Sequence, residues 1–410
     1  MILAVIFILL IFLYSIFSRM VGRSVITAPI VFTAAGILVP LFSQVSWEIE
    51  ENLKAILFIA EVGLVLLLFT DSSRIKLRDI RTLRRLPARL LSVGMLLTIL
   101  LGAIAALLVF PGLSIWEAGV LAAILAPTDA GLGQAIVTNP RVPSRIRNSL
   151  NIEAGLNDGM SVPFLMFFIA MAQPAAAGSG VLAKFLMEQL GYGVVTGALI
   201  GLIGGFLLGL AHKKKWMDEA TEQLGIVALP ILSIVLSEPS GASMFIAAFI
   251  AGAASQIGFP DIGDRSLEFT EGFGQIFNYF VFFFLGLVTS QSWNLFEPDL
   301  LVYAVLSLTV VRMLPVAVAL IGTRLKKSTV LFMGWFGPRG LASIVLGLVY
   351  IEQEGNLPGE MTIRMAVILT VLISVFAHGL SASPGVSLYE RSITALPPEA
   401  PEIAKQQSDS

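Results

Sequence analysis

Residues 116–138 read WEAGVLAAILAPTDAGLGQAIVT, and residues 329–351 read TVLFMGWFGPRGLASIVLGLVYI. Each stretch is long and apolar enough to cross a bilayer as a helix, for which about 20 residues suffice. Each is also interrupted halfway. Pro127, Gly131 and Gly133 surround Asp129 in the first, and Gly337, Pro338 and Gly340 surround Arg339 in the second. Proline removes a helical N–H and glycine weakens a helix, so both segments are expected to be broken helices. Within hydrocarbon the freed backbone groups are tolerable only beside protein or water. Broken helices at matching places in two halves of a membrane protein point to the binding site of a secondary transporter.

The rest of the chain has the composition this reading needs. Its 410 residues are 56% hydrophobic and 13% charged, with a mean hydropathy of +0.87, outside the balance of a soluble domain. The fold class is therefore an all-α polytopic membrane protein. About thirteen transmembrane spans are expected, near residues 2–18, 24–41, 53–70, 89–110, 116–138, 149–172, 181–211, 223–237, 242–257, 273–290, 299–322, 329–351 and 362–382. Met1–Phe17 lacks a basic leader and a small-residue cleavage site, so it reads as a first span.

Threading these spans collects on one side Arg19, Arg23, the run Arg74, Lys76, Arg78, Arg81, Arg84, Arg85 and Arg89, then Arg141, Arg145, Arg147, Lys213–Lys215, Arg265, Arg324, Lys326 and Lys327. The other side receives Lys54, Lys184 and Arg364. By the positive-inside rule the N-terminus lies outside and the C-terminus in the cytoplasm of an inner or plasma membrane. One transmembrane domain is expected over 1–382, with core repeats at about 89–172 and 299–382. A short polar cytoplasmic tail, 383–410, is expected to be disordered.

A charge at the centre of a span costs roughly 2.5 to 3.5 kcal/mol on insertion scales, so those that persist are candidates for function. They are Glu61, Asp129, Glu153, Asp158, Arg312 and Arg339. The fifth and twelfth spans run in opposite directions, so their breaks would cross as an inverted pair. Two helix N-termini and two C-termini would then meet, and Asp129 could neutralise the former and Arg339 the latter. Thr128 and Asp129 supply oxygens there for a dehydrating cation. On the sixth span Glu153 and Asn157 share a face, and Asp158 lies about 100° further round.

Desolvation disfavours the charged form of a carboxylate, so Asp158 can bind a proton or a cation but not both. That competition suffices for exchange by alternating access. Arg312 is the natural ion-pair partner of Glu153, since a buried charge left alone is strongly destabilising. A single titrating aspartate points to one proton per monovalent cation, hence electroneutral exchange.

Other features read as structural. Glycines at 193, 197, 201, 205 and 209 form one smooth helix face for close packing. His378 reads as a packed, hydrogen-bonded histidine, and His212 with Lys213–Lys215 as a solvated anchor. With no cysteine there is no disulfide or thiolate site. No cofactor, metal cluster or nucleic-acid partner is indicated, and no GxSxG or HExxH arrangement supports an enzyme. The alternatives are an ion channel, which would need a continuous polar pore, and a non-transporting membrane sensor, against which Asp158 argues.

Taken together, PTDAGLG in a broken fifth span, E-x-x-x-N-D-G in the sixth, an arginine in the eleventh and GPRG in a broken twelfth resemble the sodium/proton antiporters of the electroneutral cation:proton antiporter family. The resemblance covers nearly the whole chain in span number and order. It implies exchange of a monovalent cation, sodium foremost with lithium or potassium as alternatives, for protons. It also implies a homodimer whose protomers each move a six-helix core against a dimerisation domain. By matching motifs Asp158 is the carrier of cation and proton, Asn157 its neutral partner, and Thr128 and Asp129 the residues at the helix crossing. Glu153 and Arg312 are the supporting ion pair, and Glu61 matches an acidic position in the ion pathway. The chain departs from the family at Ala130, where proline is frequent, and at Ala154, where a serine hydroxyl is frequent.

Overall fold

A computed structural model of the chain describes residues 2–21, 25–42, 49–74, 86–173, 187–263, 265, 274–354, 357–394, 396–397 and 400–403. Arg23, Lys76, Arg78, Arg81, Arg84, Arg85 and Lys184 of the expected charge pattern, and the tail from Ala404, lie outside them. Every regular element described is helical: α1 (Ile2–Val21), α2 (Ala28–Phe42), α3 (Ile49–Arg74), α4 (Leu86–Val109, with a π turn at Leu90–Gly94), α5 (Ile115–Ile124), α6 (Ala130–Val137), α7 (Ser144–Ala172), α8 (Met187–Lys213), α9 (Glu219–Ser237), α10 (Met244–Ser255), α11 (Gln275–Ser292), α12 (Pro298–Leu308), α13 (Val310–Ala319), α14 (Lys327–Trp335), α15 (Leu341–Glu354) and α16 (Glu360–Ile393).

Nine helical stretches among the described residues have the length and apolarity to cross a membrane, fewer than the thirteen expected. The difference has identifiable causes. Helices α2 and α10 are only 15 and 12 residues long, and the two interrupted segments are divided into the pairs α5/α6 and α14/α15. A further interruption, not expected, separates α12 from α13 at Thr309 (φ −110°, ψ −89°). There the Thr309 hydroxyl donates to the Val305 carbonyl at 2.6 Å, and Pro315 in the following turn has no N–H to continue the ladder.

The tail expected to be disordered from Ser383 is helical to Ile393. Its sequence explains why. Ala382, Val386, Tyr389 and Ile393 fall at helical spacing and are buried in one apolar cluster with Phe332 and Phe336. Pro384 costs one backbone bond without stopping the helix.

The chain forms two compact units. The first comprises Met1–Leu53, Arg85–Ala154 and Asn278–Ser410; the second comprises Lys54–Arg84 and Gly155–Phe277. In the first, α2 and α11 cross at Gly36 and Gly286, where a Cβ on either residue would collide with the other helix's backbone. In the second, the glycine face of α8 lies directly on α10. A Cβ at Gly197, Gly201 or Gly205 would strike the carbonyl oxygen of Ala247, Ala251 or Ser255 respectively. Only glycine permits that approach.

Candidate functional site

The first interrupted segment starts from a well-capped helix. The Ser114 hydroxyl accepts the Glu117 N–H, and the Glu117 carboxylate accepts the Ser114 N–H at 2.8 Å, a capping box. The other Glu117 oxygen accepts the Gly359 N–H at 2.7 Å. Helix α5 ends at Ile124, with Leu125 as its C-cap, ahead of Pro127, and α6 restarts after Asp129, whose Oδ1 accepts the Leu132 N–H at 2.9 Å.

The second interrupted segment meets the first at Asp129. Residues 336–340 are non-helical between α14 and α15. The Leu341 N–H, at the start of α15, donates to Asp129 Oδ2 at 2.5 Å, and the Asp129 N–H donates to the Pro338 carbonyl at 2.8 Å. One buried carboxylate therefore caps two helices, one oxygen to each, where their partial positive ends favour an anion.

Arg339 reaches the opposite kind of end. Its fully buried guanidinium donates through Nη1 to the carbonyls of Ala126 and Pro127, at 2.6 and 3.0 Å, just beyond α5. The C-terminal end of α14 is met by a different residue. His378 Nε2 lies 2.9 Å from the Trp335 carbonyl, and its Nδ1 lies 3.1 Å from the Ser374 hydroxyl. Ser374 Oγ itself accepts the Arg339 N–H at 2.7 Å. A protonated Nε2 donates to the Trp335 carbonyl, and Nδ1 then accepts from the Ser374 hydroxyl while also lying 3.0 Å from the Ser374 carbonyl; the tautomer is assigned from the first two contacts. Arg339 was expected to serve both C-termini. It serves one, because its side chain leaves the second break toward the end of α5.

The glycines of the second break follow from closeness. A Cβ at Gly340 would lie inside the Asp129 carboxylate, and one at Gly337 inside the Arg312 guanidinium. Arg312 lies on α13 and donates through Nη1 to Glu153 Oε1 of α7 at 2.5 Å, both side chains being almost wholly buried. Its Nε and Nη2 meet no acceptor among the described residues. The structure thus brings together Asp129 with the backbone around Arg339, and Arg312 with Glu153. Thr128 is buried in the first break.

The remaining candidates belong to the second unit. Beyond Gly155, α7 carries the buried Asn157 and the half-buried Asp158, and α3 carries the half-buried Glu61. Of the expected cation ligands, Thr128 and Asp129 are thus in one unit and Asp158 in the other. Among the described residues no group of three or more acidic, histidine or cysteine side chains is gathered to hold a metal. Sequence reasoning missed Ser374 and the cross-link from Glu117. The Ser-x-x-Glu spacing at 114–117 was a readable signal for the latter's capping role.

Comparison with known proteins bears on this architecture. Residues 6–387 match the family described as sodium/hydrogen exchanger, transmembrane. The chain is 28% identical over 339 residues to the K(+)/H(+) antiporter NhaP of Alkalimonas amylolytica, covering 81% of this chain and 57% of that protein. It is also 28% identical over 287 residues to the sodium, potassium, lithium and rubidium/H(+) antiporter of Bacillus subtilis, covering 68% of this chain and 39% of that one. The chain spans about half the length of the curated relatives it matches. Its fold is that of the sodium proton antiporter MjNhaP1 from Methanocaldococcus jannaschii, with a TM-score of 0.75 over 94% of this chain and 96% of that one, at 17% identity.

Proposed function

This chain belongs to the sodium/hydrogen exchanger family, and from that premise we propose that it is a secondary transporter exchanging a monovalent cation for protons by alternating access. The observation that carries the reading is the pair of interrupted helices whose ends are neutralised by Asp129, Arg339 and His378. Such a device has a cost in buried charge that packing alone does not require, and it is where transporters of inverted-repeat design place their ion site.

Two buried carboxylates have their charge committed, Asp129 to two helix N-termini and Glu153 to Arg312. The carrier is Asp158, with Asn157 as its neutral neighbour. Proton and cation compete for that one carboxylate, which makes exchange obligatory and, at one proton per monovalent cation, electroneutral. Thr128 and Asp129 contribute oxygens to the cation, and Glu61 lies on its pathway. Sodium is the first substrate to test. Potassium and lithium follow, because relatives named for these ions are among the matches and because Ala130 and Ala154 depart from the sodium-exchanger pattern. The protein works as a homodimer in the inner or plasma membrane, its N-terminus outside and its C-terminus in the cytoplasm, as the basic loops indicate. Spans four to six and eleven to thirteen are its two inverted repeats.

The test is proton release from acid-loaded proteoliposomes on addition of sodium, lithium or potassium, beside Asp158→Asn. Exchange that disappears in the variant supports the reading and identifies the ion. Absence of exchange with every ion, in liposomes holding folded protein, would reject it in favour of a sensor. A steady-state rate that responds to membrane potential would reject electroneutrality.

A further inference from the structure

The first helices of the two breaks, α5 and α14, begin differently. In α5 the capping-box glutamate is local: Glu117, at the third helical position, accepts the N–H of the N-cap residue Ser114 at 2.8 Å. Helix α14 has no such residue. Its N-cap position is Lys326, without a side-chain cap, and Thr329 stands where the glutamate would be.

A carboxylate is nevertheless present there. Glu402, from the C-terminal segment and 1% exposed, places Oε1 2.7 Å from the Lys326 N–H and 3.0 Å from the Thr329 hydroxyl. It occupies the role of Glu117 from outside the helix. The segment that carries it is tied down, since Arg145 donates to the Pro401 carbonyl and Lys326 Nζ to the Ser392 carbonyl at 2.5 Å. From Thr329 the contacts continue inward. The Tyr389 hydroxyl donates to Thr329 at 3.1 Å, the Tyr389 ring stacks on Phe332 at 4.2 Å, and Phe332 packs on Phe336 at 4.7 Å. Phe336 adjoins Gly337, the glycine on which Arg312 lies.

We propose that Glu402 is a positioning residue for the helix crossing: the C-terminal segment supplies in trans the capping carboxylate that α14 lacks, and so fixes the approach of that helix to Asp129 and Arg312. An exposed, disordered tail would have no reason to bury a glutamate against a helix N-terminus, where its charge offsets the helix dipole and its oxygen satisfies an orphan N–H. The effect on transport rests on the antiport reading above, whereas the capping does not.

The experiment uses the full chain in proteoliposomes and compares the parent, Glu402→Ala, Glu402→Gln, Thr329→Glu and the double variant Glu402→Ala/Thr329→Glu. Amide hydrogen exchange across 326–336 is read beside the half-saturating sodium concentration and the maximal rate. Losing the cap should speed exchange in the first turn of α14 about tenfold, the factor typical of a lost helix cap. It should raise the half-saturating concentration several-fold with a smaller change in maximal rate. Thr329→Glu alone should be harmful, because it sets two carboxylates together. Combined with Glu402→Ala it supplies the carboxylate in cis, from the third helical position to the Lys326 N–H, and should return both readouts toward the parent. Unchanged α14 exchange in Glu402→Ala and Glu402→Gln, or a double variant no better than Glu402→Ala, would overturn the proposal. If the parent moves no ion, the antiport reading fails while amide exchange still decides the cap.

Discussion

Replacing one member of the Arg312–Glu153 pair should be far more damaging than replacing both. The two charges meet at 2.5 Å with side chains 5% and 3% exposed, so water does little to screen or replace either. Glu153 is the one ion-pair partner of Arg312 among the described residues, and two of its guanidinium nitrogens have no acceptor there. Glu153→Leu therefore leaves a buried cation without compensation, and Arg312→Met leaves a buried anion. Breaking a buried pair in this way costs about 3 to 5 kcal/mol, whereas replacing both partners by apolar residues of similar volume is often neutral. The assay is equilibrium unfolding in mixed micelles titrated with a denaturing detergent, arranged as a double-mutant cycle. Each single variant should lose about 3 to 5 kcal/mol and the double variant under about 1 kcal/mol, a coupling of at least about 3 kcal/mol. Single losses below about 1 kcal/mol, or losses that simply add in the double variant, would refute the reasoning.

Asp129→Ala removes both helix caps and should cost about 3 to 6 kcal/mol, two charge-assisted bonds at about 1.5 to 3 kcal/mol each; Asp129→Asn keeps one acceptor and should cost about half, so equal losses in the same unfolding assay would contradict the shared cap. Gly201→Ala drives a methyl into the Ala251 carbonyl and should destabilise by about 1 to 3 kcal/mol, measured likewise, with Gly191→Ala, where the nearest atom is 3.8 Å away, as a milder control. Outside the membrane, Thr221 N–H and hydroxyl bonds hold the exposed Asp218 carboxyl below its usual range. With the folded value lower than the unfolded one, the stabilisation of the α9 start is present above the ordinary carboxylate pKa of about 3.9 and is lost as pH falls through the folded value. Protection of the Thr221 amide, corrected for its intrinsic exchange rate, should therefore drop on acidification in the parent and change less in Asp218→Asn.

The breaks and the charges beside them were legible in the sequence because proline and glycine act locally and a buried charge is costly wherever it sits. The glycine face of α8 was legible for the same reason, being a fixed spacing on one helix. What could not be read depends on contacts between distant segments. Nothing in residues 374–378 announces that Ser374 and His378 serve the end of α14. Thr309 has no neighbouring glycine or proline to mark its kink, and Pro315 stands a turn away. The tail from Ser383 was misjudged because its polar residues and Pro384 outweighed Val386, Tyr389 and Ile393, which matter only once Phe332 and Phe336 are beside them. Nine stretches among the described residues qualify by length because two expected spans cross as half-helices and two others, α2 and α10, are short.

Asp129 was described as one acid holding two helix starts, and that has a mechanical consequence. A single side chain bonded to both α6 and α15 is a rivet: neither start can slide without shearing a short, charge-assisted bond to the other. The two half-helices must travel as one piece through any transport cycle. Spin labels placed on them should keep a constant separation under inward-facing and outward-facing conditions, whatever else in the molecule moves.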